Sequence, residues 1–218
     1  MTIVVLGAGA TRGAEFAGQN MLCQPPLNAD FFTQIQRIFD DKYKKDIDAT
    51  IYNTCKIFGT NFNLTMEDLF TQIEFMLRAF EFVKVGQKRL ETINDLRKLR
   101  ESLFQSIFAV LERSVHKILQ KDKMECRYHG NLVKALSKDD TIISFNYDCL
   151  IDIMLRKYGG EKWGPNWGYC FPGRNYQRLR FEKWENEGKV KATKDSTIKL
   201  LKVHGSINWD ITEPKKDN

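Results

Sequence analysis

The fold is decided by the N-terminal stretch of sequence, which reads TIVVLGAGATRG over residues 2–13. Its first five residues are apolar or β-branched, which is typical of a strand buried on both faces of a parallel sheet. Gly7, Gly9 and Gly13 follow at once. In open α/β sheets, a glycine-rich turn beyond the carboxyl end of a strand lets backbone N–H groups approach a phosphate. The stretch therefore predicts a strand–turn–helix unit with a candidate phosphate site.

Two later stretches have the character of buried strands. Residues 141–145 read TIISF, and residues 198–203 read IKLLKV, where two lysines interrupt the apolar run. Both are short and rich in β-branched or aromatic residues, as strands of a parallel sheet are. The predicted fold class is α/β, with a Rossmann-like parallel sheet and a large helical insertion between the first and second strands.

The helical insertion is expected at about residues 28–137, within a single domain that spans residues 1–218. Asn28 is a candidate N-cap, and Thr65 to Asp68 form a candidate capping box. The expected helices cover residues 31–38, 47–58, 66–80, 89–121 and 132–136. The apolar stripe of residues 89–121 suits either a partner-binding face or packing inside its own domain, and packing is favoured.

Composition excludes several classes of protein. The chain has 218 residues, 42% of them hydrophobic, so it can bury a core and is not disordered. The net charge of +6 permits an anionic ligand without selecting one. The five cysteines form no C-x-x-C pair, which argues against a zinc ribbon and favours a reduced, cytoplasmic protein. No apolar run approaches the roughly 20 residues of a membrane span.

The stretch over residues 159–191 mixes aromatic and basic residues between glycines and prolines. We expect an irregular loop. It suits either one edge of a ligand cleft or a stacking platform for single-stranded nucleic acid, and the nucleic-acid reading is the less favoured one.

Polar residues follow the second and third predicted strands. Asn146 and Asp148 come directly after the second, and His204 and Ser206 after the third. Because the carboxyl ends of parallel strands meet at one edge of a sheet, these residues and the Gly7 turn are expected to lie together. The sequence therefore predicts one site built from three strand ends.

Taken in order, the motifs GAGAT (residues 7–11), NYD (146–148) and HGS (204–206) resemble those of the SIR2 (sirtuin) superfamily. The longer stretches PPLNADFF (25–32) and KVHGSINW (202–209) resemble bacterial SIR2-like proteins. Those are typically NAD-consuming effectors of anti-phage defence. Deacylase sirtuins carry a zinc ribbon, absent from this sequence, and usually a Gln where this chain has Phe145. The resemblance therefore implies an NAD+ glycohydrolase that cleaves the nicotinamide–ribose bond, with NAD as substrate and no metal.

The resemblance also implies roles for individual residues. Asn146 would orient the attacking water, His204 would accept a proton, and Asp148 would bind the carboxamide of nicotinamide. The remaining cofactor-binding candidates, for the pyrophosphate or the ribose, are Gly7, Ala8, Gly9, Ala10, Thr11, Arg12 and Ser206.

Three alternatives stay open: a nucleotide-sensing SIR2-fold module without turnover, an NAD-dependent protein deacylase, and a nucleic-acid-associated module. The expected partners are NAD+ and either further copies of the chain or a regulatory domain or subunit that senses infection. Only nine residues follow Trp209, so we expect the chain to be the front part of a longer protein.

Overall fold

The computed structural model describes residues 1–19, 23–81, 87–116, 126–170 and 197–206. The protein is mixed α/β, mostly helical, with a small parallel sheet. It divides into two compact units. Met1–Gln19 and Ile118–Asn218 form the sheet unit, and Asn20–Lys117 form the helical unit.

Among the described residues, the sheet has three parallel strands in the order β1-β2-β3: β1 (Ile3–Leu6), β2 (Thr141–Ser144) and β3 (Lys199–Lys202). Leu6 pairs with Ser144, and Ser144 pairs with Lys202. All three strands therefore end at the same edge. The three predicted strands are confirmed, as is their common edge.

The two faces of the sheet differ in burial. Ile142 and Leu200, on one face, are completely buried. On the other face, Ile3 is 56% exposed and Val5 is 62% exposed. The prediction that the first strand is covered on both faces is therefore wrong for the part of the chain that the structure describes.

Eight α-helices accompany the sheet within the described residues: α1 (Ala8–Arg12), α2 (Phe31–Ile35), α3 (Asp41–Phe58), α4 (Met66–Glu81), α5 (Gln87–Leu111), α6 (Arg127–Ala135), α7 (Leu150–Tyr158) and α8 (Pro165–Gly168). A π-helical turn, Glu112–His116, continues α5. Residues 117–121 of the predicted long helix lie outside the described residues. None of the helices in the described ranges is long and apolar enough to cross a membrane.

The helical unit is organised around α5. Helices α2, α3 and α4 all pack against it. Its residues Leu96, Leu99 and Leu103 recur at helical spacing and are completely buried, as one face of an amphipathic helix should be. The apolar stripe of α5 therefore packs inside its own unit, which was the favoured interpretation.

Several helix starts differ from the predictions because the capping groups differ. Helix α3 begins at Asp41, earlier than predicted, where the Asp40 carboxylate accepts a hydrogen bond from Lys42 N. The capping box of α4 is confirmed, since Thr65 and Asp68 bond reciprocally. Asn28 does not cap the helix that follows it. Its amide oxygen accepts from Glu67 N instead, at the start of α4.

Helix α6 also begins earlier than predicted. Its first residue is Arg127, whose backbone N–H donates to Glu15 Oε2 at 2.8 Å. The same carboxylate binds the Arg127 side chain at 2.7 Å. The start of α6 is thus capped by a residue 112 positions earlier in the sequence. This residue satisfies one of the free N–H groups of the first turn.

Candidate functional site

The glycine-rich loop begins the site at the end of β1. Gly7 is extended, and α1 starts at the next residue. Ala10 N donates to Gly7 O at 2.8 Å, which closes the turn. A Cβ atom placed on Gly7 or Gly9 would meet no atom of another described residue within 4 Å. Packing within the described chain therefore does not require these glycines, and the space in front of them is open.

Asn146 lies just past the end of β2, and its side chain reaches the glycine-rich loop. Its Nδ2 donates to Gly7 O at 3.0 Å and to Thr11 Oγ1 at 3.0 Å. A backbone carbonyl can only accept, so the amide group must face Gly7 with its nitrogen. The orientation of the Asn146 amide is therefore determined by its partners.

The amide oxygen of Asn146 differs from the other polar atoms of the site in its hydrogen bonding. Asn146 Oδ1 is buried, and no hydrogen-bond partner for it lies among the described residues. An unpartnered buried carbonyl loses its hydration without compensation, which costs about 1–3 kcal/mol. Such an atom is expected where a ligand or an ordered water completes the set of hydrogen bonds.

Asp148 joins the glycine-rich loop to the start of α7 through its carboxylate. Its Oδ2 accepts from Thr11 Oγ1 at 2.8 Å, and its Oδ1 accepts from Leu150 N at 2.9 Å, at the start of α7. Thr11 and Asp148 are both buried. The three polar residues thus form a chain that runs from Asn146 through Thr11 to Asp148, and both oxygens of Asp148 are already engaged.

His204 lies at the other side of the site, in the turn after β3. Gly205 N donates to Lys202 O at 3.0 Å, and Gly205 has a φ of 81°, a region that favours glycine. The exposed imidazole packs against two rings, with its centroid 5.6 Å from Phe145 and 5.7 Å from Tyr147. The second and third motifs therefore meet through an aromatic cluster.

Ser206 and Arg12 occupy flanking positions. Ser206 Oγ donates to Tyr147 O at 3.4 Å and lies 3.6 Å from Cys149 Sγ, which links the end of β3 to the end of β2. Arg12 is the last residue of α1 and is half-buried. The structure thus brings all the predicted site residues to one edge of the sheet.

A buried charged cluster beneath the site was missed by the sequence reasoning. The Lys202 and Asp152 side chains are completely buried, with Nζ and Oδ2 3.0 Å apart. Lys202 also donates to the backbone carbonyl of Asp148, and Tyr169 donates its hydroxyl to Asp152. In the sequence, Lys202 only weakened the case for a strand. A lysine in a buried run is itself the signal, because buried lysines need a partner.

Burial and nearby charges shift the pKa values of Lys202, Cys149 and His129. Burial is the largest influence on the pKa of Lys202 and acts to lower it, but Asp152, Cys149 and Asp148 together outweigh burial, so the pKa is raised. Lys202 therefore stays protonated. Burial raises the pKa of the Cys149 thiol, and Asp152 adds to the effect. Burial also lowers the pKa of His129 in α6, which the charge of Asp148 partly opposes.

The aromatic and basic stretch is described only over residues 159–170. Trp163 and Tyr169 are buried and pack edge to face, with centroids 5.7 Å apart. These two rings belong to the core. Residues 171–191, with the rest of the predicted platform, lie outside the described residues.

No family model matches the chain, and no curated protein shows detectable similarity to it. Among the described residues, no group of three or more His, Cys, Asp or Glu side chains is arranged to hold a metal ion.

Proposed function

We propose that the chain is a SIR2-like NAD+ glycohydrolase that hydrolyses the bond between nicotinamide and ribose. The observation that carries the proposal is the buried Oδ1 of Asn146, which lies beside the glycine-rich loop and has no hydrogen-bond partner among the described residues. The loop of residues 7–11, the Asn146–Asp148 segment and the His204–Ser206 turn follow three adjacent parallel strands.

A Rossmann-like arrangement is part of the proposal. Its support is the parallel order β1-β2-β3, with helices α1 and α7 beginning shortly after β1 and β2. In such folds, ligands bind beyond the carboxyl ends of the strands. The motifs lie at that edge.

The chemistry of NAD+ suits the residues present. Its nicotinamide leaves as a neutral base from a cationic precursor, so no acid is needed to protonate the leaving group. The site must hold an oxocarbenium-like ribose and direct a water to it, as in glycoside hydrolysis generally. In the proposal, Asn146 Oδ1 accepts a hydrogen bond from that water, and His204 accepts the proton that the water or a ribose hydroxyl gives up.

The net charge of +6 accords with the pyrophosphate of the substrate. In the proposal the backbone of residues 7–11 holds the pyrophosphate, while Arg12 and Ser206 flank the phosphate and ribose.

The test is nicotinamide release from NAD+ by the purified protein, measured chromatographically. His204→Ala is expected to lower turnover about 100-fold or more, the usual effect of losing a proton-transfer group. Asn146→Ala is expected to lower it by about 100-fold, because the water is no longer oriented. Asn131→Ala, at an exposed position of α6 in the same unit, is the matched control and should keep wild-type turnover. If both site variants also keep it, the proposal is wrong.

A second candidate is a module that binds NAD+ or ADP-ribose without turnover. The observation that favours it is the engagement of Asp148, whose two carboxylate oxygens already accept hydrogen bonds within the protein. Calorimetric binding of NAD+ or ADP-ribose, with no nicotinamide release under any condition, would establish this candidate instead.

The proposed setting is the cytoplasm during anti-phage defence. NAD depletion is harmful to the host cell, so the proposal includes control by further copies of the chain or by a regulatory domain or subunit. These elements rest on the resemblance to bacterial SIR2-like proteins alone.

A further inference from the structure

A continuous chain of buried polar contacts connects the interior of the sheet unit to Asn146. Tyr169 donates to Asp152, which pairs with Lys202 at 3.0 Å. Lys202 donates to the backbone oxygen of Asp148. From there, the carboxylate of Asp148 accepts from Thr11, and Thr11 accepts from Asn146 Nδ2.

The first part of this chain is costly for the fold to keep. Lys202 and Asp152 are both completely buried, and taking two charges out of water costs several kcal/mol per ion before their attraction offsets it. A protein in which apolar residues of similar volume replace a buried ion pair is often at least as stable as the original. The pair therefore calls for an explanation other than stability, and the position of Lys202 supplies one.

Lys202 is the last residue of β3, and it reaches across to the loop that follows β2. The bond to Asp148 O holds the backbone two residues after Asn146. Asp152 holds the ammonium group from α7, and Tyr169 holds Asp152. Asp152 thus fixes the position of the Lys202 ammonium group. The ammonium group in turn supports the Asn146–Asp148 loop from the protein interior.

We propose that Lys202 is a positioning residue that, held by Asp152 and Tyr169, orients Asn146 so that its Oδ1 faces the reacting water. The inference rests on the proposed NAD+ hydrolysis for its catalytic meaning. In this proposal Lys202 is not a catalytic residue, because its contacts are to Asp152 and to the backbone oxygen of Asp148. It acts through the backbone of Asp148 and the Thr11 hydroxyl.

The test uses the double variant Lys202→Met/Asp152→Asn, which removes both buried charges together and leaves neither ion unpaired. The matched control is Lys162→Met. Lys162 also donates to backbone carbonyls in the sheet unit, including Leu136 O at 2.7 Å, but at the end of α6. Tyr169→Phe is a milder variant that removes one hydroxyl and keeps the ion pair.

The first readout needs no substrate. In protein labelled with ¹⁵N-asparagine, solvent exchange of the Asn146 side-chain amide protons is measured by NMR, with the signal assigned through Asn146→Asp. Both protons are bonded in the wild type, so exchange is slow. We expect it to be at least tenfold faster in the double variant, at least twofold faster in Tyr169→Phe, and unchanged in Lys162→Met.

The second readout is steady-state NAD+ hydrolysis. The double variant should lose at least tenfold in kcat while KM changes less than threefold, since only the orientation of Asn146 is altered. Wild-type exchange and kcat in the folded double variant would overturn the proposal, however much its Tm falls. If the double variant does not fold, wild-type exchange in Tyr169→Phe overturns it. If the wild type does not hydrolyse NAD+, only the hydrolase proposal is refuted. The exchange measurement needs no substrate and still tests whether Lys202 positions Asn146.

Discussion

Replacement of Gly9 by alanine tests whether this glycine is required for folding or for binding a ligand. Gly9 is the second residue of α1, and in the part of the chain that the structure describes a Cβ there would meet nothing within 4 Å. Glycine within a helix costs roughly 0.5–1 kcal/mol relative to alanine. Gly9→Ala should therefore stabilise the protein. For a chain of this size the gain corresponds to a Tm higher by about 1–4 °C.

The same methyl group would lie in the open space where the pyrophosphate is proposed to meet the backbone. Charge-assisted hydrogen bonds to backbone N–H groups contribute about 1.5–3 kcal/mol. Loss of one of them lowers kcat/KM for NAD+ by roughly 10- to 150-fold. A more stable but less active variant is the expected result, measured by calorimetry and by nicotinamide release.

The matched control is Gly18→Ala, at another glycine of the sheet unit where a Cβ meets nothing within 4 Å. It should leave kcat/KM unchanged. If Gly9→Ala hydrolyses NAD+ as fast as the wild type, no phosphate approaches the loop at this residue. A lower Tm would show instead that the fold itself needs the glycine.

Three further predictions concern the same unit. Asn146→Asp places a carboxylate oxygen against Gly7 O, so unfolding should become easier by about 1–3 kcal/mol and turnover should be lost, as denaturant titration and nicotinamide assays would show; equal stability would contradict the assigned amide orientation. Hydrogen bonds from the backbone N–H groups of Ser137 and Thr2 hold the pKa of Asp140 below its usual value. The ionised form is thus favoured in the folded state, and its stabilisation is present above about pH 4 and lost as the pH falls through the folded pKa. Asp140→Asn should be less stable than the wild type at pH 7, with a difference that shrinks in acid; a deficit independent of pH would refute this. Cys149 is buried with a raised pKa, whereas Cys170 is exposed, so a thiol reagent should modify Cys170 quickly and Cys149 only on unfolding; rapid modification of Cys149 in a Cys170→Ser variant would contradict the burial.

The strands and their common edge could be predicted because their signals are local. A β-branched run followed by glycine or by Asn-x-Asp marks a strand end within a few residues, and the parallel arrangement then brings the ends together. The glycine-rich loop, Asn146 and His204 were found in this way. Among the described residues Asn146 Oδ1 has no partner, because Gly7 O and Thr11 Oγ1 both accept from the amide nitrogen. No local sequence pattern reveals this.

The features that could not be predicted depend on contacts between distant residues. The start of α6 is set by Glu15, 112 positions away from Arg127. The burial of Lys202 depends on Asp152, 50 positions earlier. A lysine in an apolar run indicates that a partner is needed, but nothing near Lys202 in the sequence identifies that partner. The uncovered face of β1 likewise depends on where the helices pack.

The separation of β1 from β2 also has a consequence for how the chain folds. Thr2 and Asp140, which bond beside the paired strands, lie 138 residues apart. Closing so long a loop is slow unless the intervening chain is already compact. During synthesis, β1 leaves the ribosome well before β2 and cannot pair with it until residues 141–144 are made. The helical unit, residues 20–117, lies between the two strands in the sequence and has emerged by then. We expect it to fold first, so that β1, which is made before the helical unit, is paired only after that unit has formed.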